Sequence, residues 1–199
     1  NGVEPTRLAD AIESCRDACR RGEIDAVELI GMAAELSPAL LGCLDDSILA
    51  AIPELIASST AESASGRAAA ITAISKFGKH APLEAVQTIV DRITDPNESP
   101  QVQLAALRAI PGFGVDMAAL AVSKLSELIK TCTCPDVSVA ACGVLEFIGV
   151  EARPAIDALV RAAVSEDGKV VNVAAARALT RIDPTATEVV DYAKRHVEV

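Results

Sequence analysis

The chain reads as an all-α protein built from stacked two-helix repeats, and three observations predict it. Gly78, Gly114 and Gly149, with Asp183 placed in the same role, recur at separations of 36, 35 and 34 residues. A fixed period of that length is the signature of a helical repeat array. Matched positions also keep their size: Ala70, Ala106, Ala141 and Ala175 are small; Ile74, Ile110, Leu145 and Leu179 are aliphatic; Phe77, Phe113, Ile148 and Ile182 are bulky and apolar. Those positions lie four, then three residues apart and form one helical stripe. Finally, apolar residues make up 51% of the chain but aromatics only 2%, so the core must be built from Ala, Leu, Ile and Val on closely packed helices.

Taken in order, the elements begin with an amphipathic helix over residues 6–21. It places Leu8, Ile12, Cys15 and Cys19 on one face and Arg7, Asp10, Asp17 and Arg21 on the other, and residues 1–22 are predicted to cap the open end of the stack. Asp25 with Glu28 three residues later matches a capping box, and residues 25–38 followed by 46–59 read as a divergent repeat within 24–60. Four clearer repeats follow over 64–98, 99–135, 136–167 and 168–199. In each, the first stripe ends at the glycine position, where positive φ stops a helix cheaply. A second stripe then starts, at Val86, Ile89 and Ile93 or at Val122, Leu125 and Ile129. Pro53, Pro82 and Pro154 fall near second-helix starts, and Ser99-Pro100 and Asp183-Pro184 read as N-cap followed by proline at the first helical position. The whole of 1–199 is thus one domain of about five units.

The Ala-rich first helix, the apolar-Gly turn and the proline-started second helix resemble HEAT repeats, most closely the phycobilisome-lyase-like (PBS lyase) variety. The best matches are residues 136–149 with 154–160, and residues 171–179. The resemblance covers about 64–199 well and 24–60 loosely. It implies a right-handed α-α superhelix, a HEAT-like α-solenoid whose second helices line the concave face, and a role in binding proteins. The chain departs from the pattern after the valine that opens each first helix. The resemblance leads one to expect Arg there, but Gln103, Ser138 and Asn172 follow Val102, Val137 and Val171, and only Arg67 keeps a guanidinium.

Composition and motifs exclude several function classes. No apolar run reaches the roughly 18 residues of a membrane span, and the most apolar stretch, 137–150, is broken by Ser138 and Glu146. A di-iron hydroxylase on this fold needs His and carboxylate pairs on facing helices, whereas the chain holds only His80 and His196, neither followed by Glu. A nucleic-acid enzyme needs a basic groove with aromatic residues, whereas the net charge is −10 and there is a single tyrosine, Tyr192. The chain is therefore expected to be no enzyme, with no cofactor and no nucleic-acid partner.

Cys132, Cys134 and Cys142 cluster in and after the loop 131–136, and Cys15 and Cys19 lie a turn apart, but the spacing of two intervening residues that zinc sites favour is missing. Cys142 takes the core position of Ile71 and Leu107. The cysteines are read as small buried hydrophobes in a reducing or indifferent compartment; the compartment itself is left open, with the cytoplasm favoured. Phe77, Phe113 and Phe147 are read as core fillers, and His80 as a solvated turn residue.

Charge carries most of the functional content. Residues 1–63 hold 4 Lys plus Arg against 12 Asp plus Glu, a net of −8, whereas 64–199 hold 14 against 16, a net of −2. The acidic end would repel phosphates and draw a basic protein segment, or it serves simply as the polar cover that the end of a solenoid needs. On the second helices, Glu84, Gln87 and Asp91, then Ser123 and Glu127, then Asp157 and Arg161 lie opposite the apolar stripe. Stacking puts these rows side by side as a polar groove for a protein or peptide. The expectation is a monomeric protein-interaction scaffold or regulatory module within a larger protein, Asn1 being the start of a piece or of a processed chain. Two alternatives are a chaperone or lyase-like factor for a tetrapyrrole-bearing protein, which only the resemblance brings in, and an accessory subunit of an enzyme.

Overall fold

The computed structural model describes residues 63–165 and 169–185, together with Asp10, Ser14, Asp17 and Ala18. All regular structure among the described residues is helical. The helices are α1 (Ala64–Ser75), α2 (Leu83–Thr94), α3 (Pro100–Ala109), α4 (Val115–Ala118), α5 (Val122–Thr131), α6 (Pro135–Ile148), α7 (Ile156–Ala163) and α8 (Lys169–Ile182). Tight 3₁₀ turns at Gly78–His80, Ile110–Phe113, Ala119–Ala121 and Gly149–Ala155 connect them.

Helix starts follow side-chain chemistry. Ser63 and Ser99 accept the N–H of Gly66 and Val102, each at 3.4 Å, at the heads of α1 and α3, satisfying one of the donors a helix start leaves orphaned. Pro100 and Pro135 occupy the first turns of α3 and α6, where a missing N–H costs nothing. Helix α6 therefore takes in Pro135 and Asp136, which the sequence places in the preceding loop. Pro82 is the N-cap of α2, whereas Pro154 lies inside the 3₁₀ turn before α7.

The turns need glycine for a stated reason. Gly114 sits at φ 87°, ψ 166°, a region essentially closed to side chains with a Cβ. Gly78 and Gly149 also have positive φ. Asp183 does not share that role, because no described non-glycine residue has positive φ. Its carboxylate ends α8 differently, accepting the Thr185 N–H at 3.0 Å and the Thr185 hydroxyl at 2.6 Å. Those two bonds, the hydroxyl's foremost, hold the Asp183 carboxyl below its ordinary range. The helix expected after Pro184 lies outside the described residues.

Packing follows the repeat. Helices α1, α3, α6 and α8 each contact the next in that series, and so do α2, α5 and α7. Contacts of α2 with α3, α5 with α6 and α7 with α8 join the two series. All twelve matched positions are buried, and the four alanines are wholly inaccessible; Phe77, Ile110 and Phe113, predicted on the first helices, lie just past the ends of α1 and α3. Each large aliphatic there contributes roughly 1.5–3 kcal/mol on burial, while alanine lets neighbouring backbones approach closely. The second stripe is buried too, except that Ile129 is half-buried.

Phe147 is the exception to the predicted core, at 42% exposed. It precedes the buried Ile148 by one residue, and the helix turns about 100° per residue, so the ring leaves the stripe and faces solvent.

Of the N-terminal elements, Asp10, Ser14, Asp17 and Ala18 are helical; both aspartates are exposed and Ala18 is buried in the core. The rest of the cap, the capping box at Asp25, the 24–60 repeat and Pro53 lie outside the described residues.

Candidate functional site

The seven residues expected on the groove, Glu84, Gln87, Asp91, Ser123, Glu127, Asp157 and Arg161, are all exposed. Their placement has a simple origin. Gln87 and Asp91 flank the buried Ile89 at two residues on either side; Ser123 and Glu127 flank Leu125 in the same way, and Asp157 and Arg161 flank Leu159. Two residues along a helix turn about 200°, so burying the central aliphatic turns both flanks outward. Helices α2, α5 and α7 pack in succession; Gln87, Ser123 and Asp157 hold one equivalent position beside the buried aliphatic of their helix, and Asp91, Glu127 and Arg161 the other.

The structure adds members that the sequence reading passed over. Leu120 holds the position equivalent to Glu84 and is 47% exposed, and with Leu83, equally exposed one turn before Gln87, it places apolar side chains on this face. Lys124 reaches from α5 to α2 and pairs with Asp91, its Nζ 3.7 Å from Oδ1. That pair is exposed and contributes little to stability, but it neutralises one of the face's four carboxylates. The positions of Leu120 and Lys124 follow from the same ±2 rule, yet which cation Asp91 meets depends on how α5 sits on α2.

At the C-terminal ends of α2 and α5 the face opens into a cleft of about 340 Å³. Asp95, Glu98 and Glu127 line it, together with Thr131, Cys132 and Cys134. Among the described residues, Glu98 is a buried carboxylate held by two guanidinium groups. Its side chain is 2% exposed and receives both arms of the Arg67 guanidinium, Nη2 to Oε1 at 2.6 Å and Nε to Oε2 at 3.0 Å. The Ser99 N–H adds a bond of 2.8 Å, and Arg92 stands 4.0 Å away. Burial alone would raise the Glu98 carboxyl, but the Arg67 fork, the Ser99 N–H and the two nearby guanidinium charges outweigh it and hold the group below its ordinary range. Arg67 is pushed up correspondingly, chiefly by its hydrogen bond to Glu98 and against the effect of burial.

The Gln103 and Asn172 positions, where the sequence departs from the HEAT pattern, have a local purpose. Gln103 Nε2 donates to the Ile93 carbonyl at 3.1 Å, and Asn172 Nδ2 donates to the Ser165 carbonyl at 2.7 Å. Ile93 is in the last turn of α2, and Ser165 follows the end of α7. Each amide thus satisfies a carbonyl at or just past the end of the preceding second helix, where intrahelical donors run out. Ser138, at the same repeat position, is buried.

Among the described residues, no group of three or more His, Cys, Asp or Glu is placed to hold a metal ion, and no helix is long and apolar enough to cross a membrane. Cys142 is wholly buried, and burial pushes its thiol up to about 12. Cys132 and Cys134 are half-buried on the loop, while Cys15 and Cys19 lie outside the described residues. His80 is exposed on its turn. No family model matches the chain, and no curated protein matches it. The likeness to HEAT repeats therefore stands on the residue pattern alone.

Proposed function

We propose that this protein is a non-catalytic protein-interaction scaffold or regulatory module, a HEAT-like right-handed superhelix whose second helices form the concave binding face. The observation that carries the reading is that the second helices α2, α5 and α7 pack in succession and each exposes polar residues at equivalent positions on either side of a buried aliphatic. Four of the seven face residues are carboxylates and one is a guanidinium, so the face favours a peptide carrying Lys or Arg. Leu120 supplies an apolar contact at its edge. Many modest contacts along stacked repeats suit an extended or helical segment. The same charges disfavour phosphate-bearing ligands.

The test starts from a partner recovered by affinity capture and measures its Kd for three proteins: the parent, Asp91→Lys with Glu127→Lys, and Asp10→Lys with Asp17→Lys. Weakening by the face pair alone supports the placement. Weakening by the N-terminal pair alone moves the site to the acidic end, and equal affinity for all three removes both.

A further inference from the structure

The α5–α6 connection carries chemistry that the binding reading does not use. Cys132 and Cys134 are both half-buried and both line the open cleft, with the exposed Thr133 between them. Backbone angles are extended at each cysteine, φ −73°, ψ 130° and φ −91°, ψ 112°, and side chains two residues apart on extended backbone share a side. The Cys134 N–H donates to Cys132 Sγ at 3.4 Å, and that sulfur lies 3.5 Å from the Cys134 carbonyl oxygen. One sulfur therefore already lies against the backbone of its neighbour.

We propose that Cys132 and Cys134 are a reversible oxidation site, a thiol pair that closes to an intraloop disulfide by exchange with a small disulfide such as glutathione disulfide. Two extended residues span at most about 7 Å, and a disulfide needs Cα atoms about 4.4–6.8 Å and Cβ atoms about 3.5–4.5 Å apart, so closure requires the chain to bend at Thr133 and bring the two Cβ atoms together. The flanks are pinned: the Cys132 N–H donates to the Leu128 carbonyl at 2.8 Å, and the Cys134 carbonyl accepts from the Ser138 N–H at 3.1 Å. Cys142, in the helix that follows, is sealed in the core and does not compete.

The exchange balances in two steps. The thiolate of one cysteine attacks a sulfur of glutathione disulfide, forming a mixed disulfide and releasing one glutathione thiolate. The second cysteine's thiolate then attacks the protein-side sulfur of that mixed bond, forming the Cys132–Cys134 bridge and releasing the second glutathione. The protein loses two electrons and two protons, and glutathione disulfide gains them as two glutathione thiols. The second step wins over further glutathione addition because its partner is tethered, at an effective concentration on the order of millimolar or more.

The chain of residues 1–199 is incubated with excess glutathione disulfide, quenched with N-ethylmaleimide, and the peptide spanning the loop is sequenced by mass spectrometry. The expected peptide is two hydrogens lighter, with maleimide uptake at Cys132 and Cys134 down by about tenfold and restored by dithiothreitol. Cys132→Ser and Cys134→Ser should each instead retain one glutathione on the surviving cysteine, and Cys142→Ser should leave the bridge intact. Two thiols that stay maleimide-reactive, glutathione on both without a bridge, or a bridge from either cysteine to any other cysteine would each overturn the proposal.

Discussion

At Glu98 burial and charge conflict, and pairing decides the outcome. A carboxylate with a 2% exposed side chain is tolerated only because the Arg67 fork and the Ser99 N–H meet its oxygens. Since its folded-state pKa lies below the ordinary value of 4.5, the stabilisation is complete above that pH and is lost as pH falls from about 4.5 through the depressed folded value. Glu98→Gln should lower unfolding free energy near neutral pH by about 1–3 kcal/mol, because it leaves the Arg67 guanidinium facing a neutral amide. It should also flatten the acid-side loss. Urea titrations of parent and variant across that range check both, and parallel pH profiles would rule out this role for the carboxylate. The sequence marks Arg67 by its repeat position, but its partner 31 residues away is recognisable only once α3 follows α2 in space.

At the scale of the element, glycines with different jobs make opposite predictions. Gly143 lies within α6, where an added Cβ would meet nothing within 4 Å, so Gly143→Ala should raise stability by about 0.5–1 kcal/mol through helix propensity alone. Gly78 has φ +54°, and a Cβ there would stand 3.3 Å from the Gly112 carbonyl oxygen of the next turn. Gly78→Ala should therefore cost about 1–2 kcal/mol. Thermal melts of the two variants should move in opposite directions, and a shared direction would contradict the turn geometry. Ala106 on α3 is one of four matched alanines with no accessible surface. A phenylalanine there should overpack the contacts with α1 and α6 and cost on the order of 1–3 kcal/mol, read as a lowered melting temperature.

For the whole molecule, stability should be graded along the chain. Helices α3 and α6 pack against neighbours on both sides, whereas α8 contacts α6, α7 and the turn before α7 among the described residues and leaves Val170 at 68% and Val173 at 42% exposed. Because each repeat leans on the next, amide exchange should be slowest in α3 and α6 and faster in α8. Protection in α8 equal to that in α6 would argue against nearest-neighbour stabilisation. Circular dichroism should show a strongly helical chain, and a sheet-dominated spectrum would be incompatible with the packing described.

By itself the sequence determined the period, the buried stripes and the outward rows, because those depend only on spacing along a helix: Ala70, Ala106, Ala141 and Ala175 are buried, and Asp91, Glu127 and Arg161 exposed, as the 3.6-residue turn requires. Phe147 shows where composition misled, since an aromatic beside a stripe invites a core reading although one residue of rotation puts it in water. Only the tertiary structure decided the pairings: Glu98 with Arg67, Lys124 with Asp91, Gln103 with the Ile93 carbonyl, and the cleft that gathers Glu127 with Cys132 and Cys134. Such contacts join groups on different helices and on the turns between them. Their existence rests on how closely one repeat settles on the next, a distance set by the whole packed core.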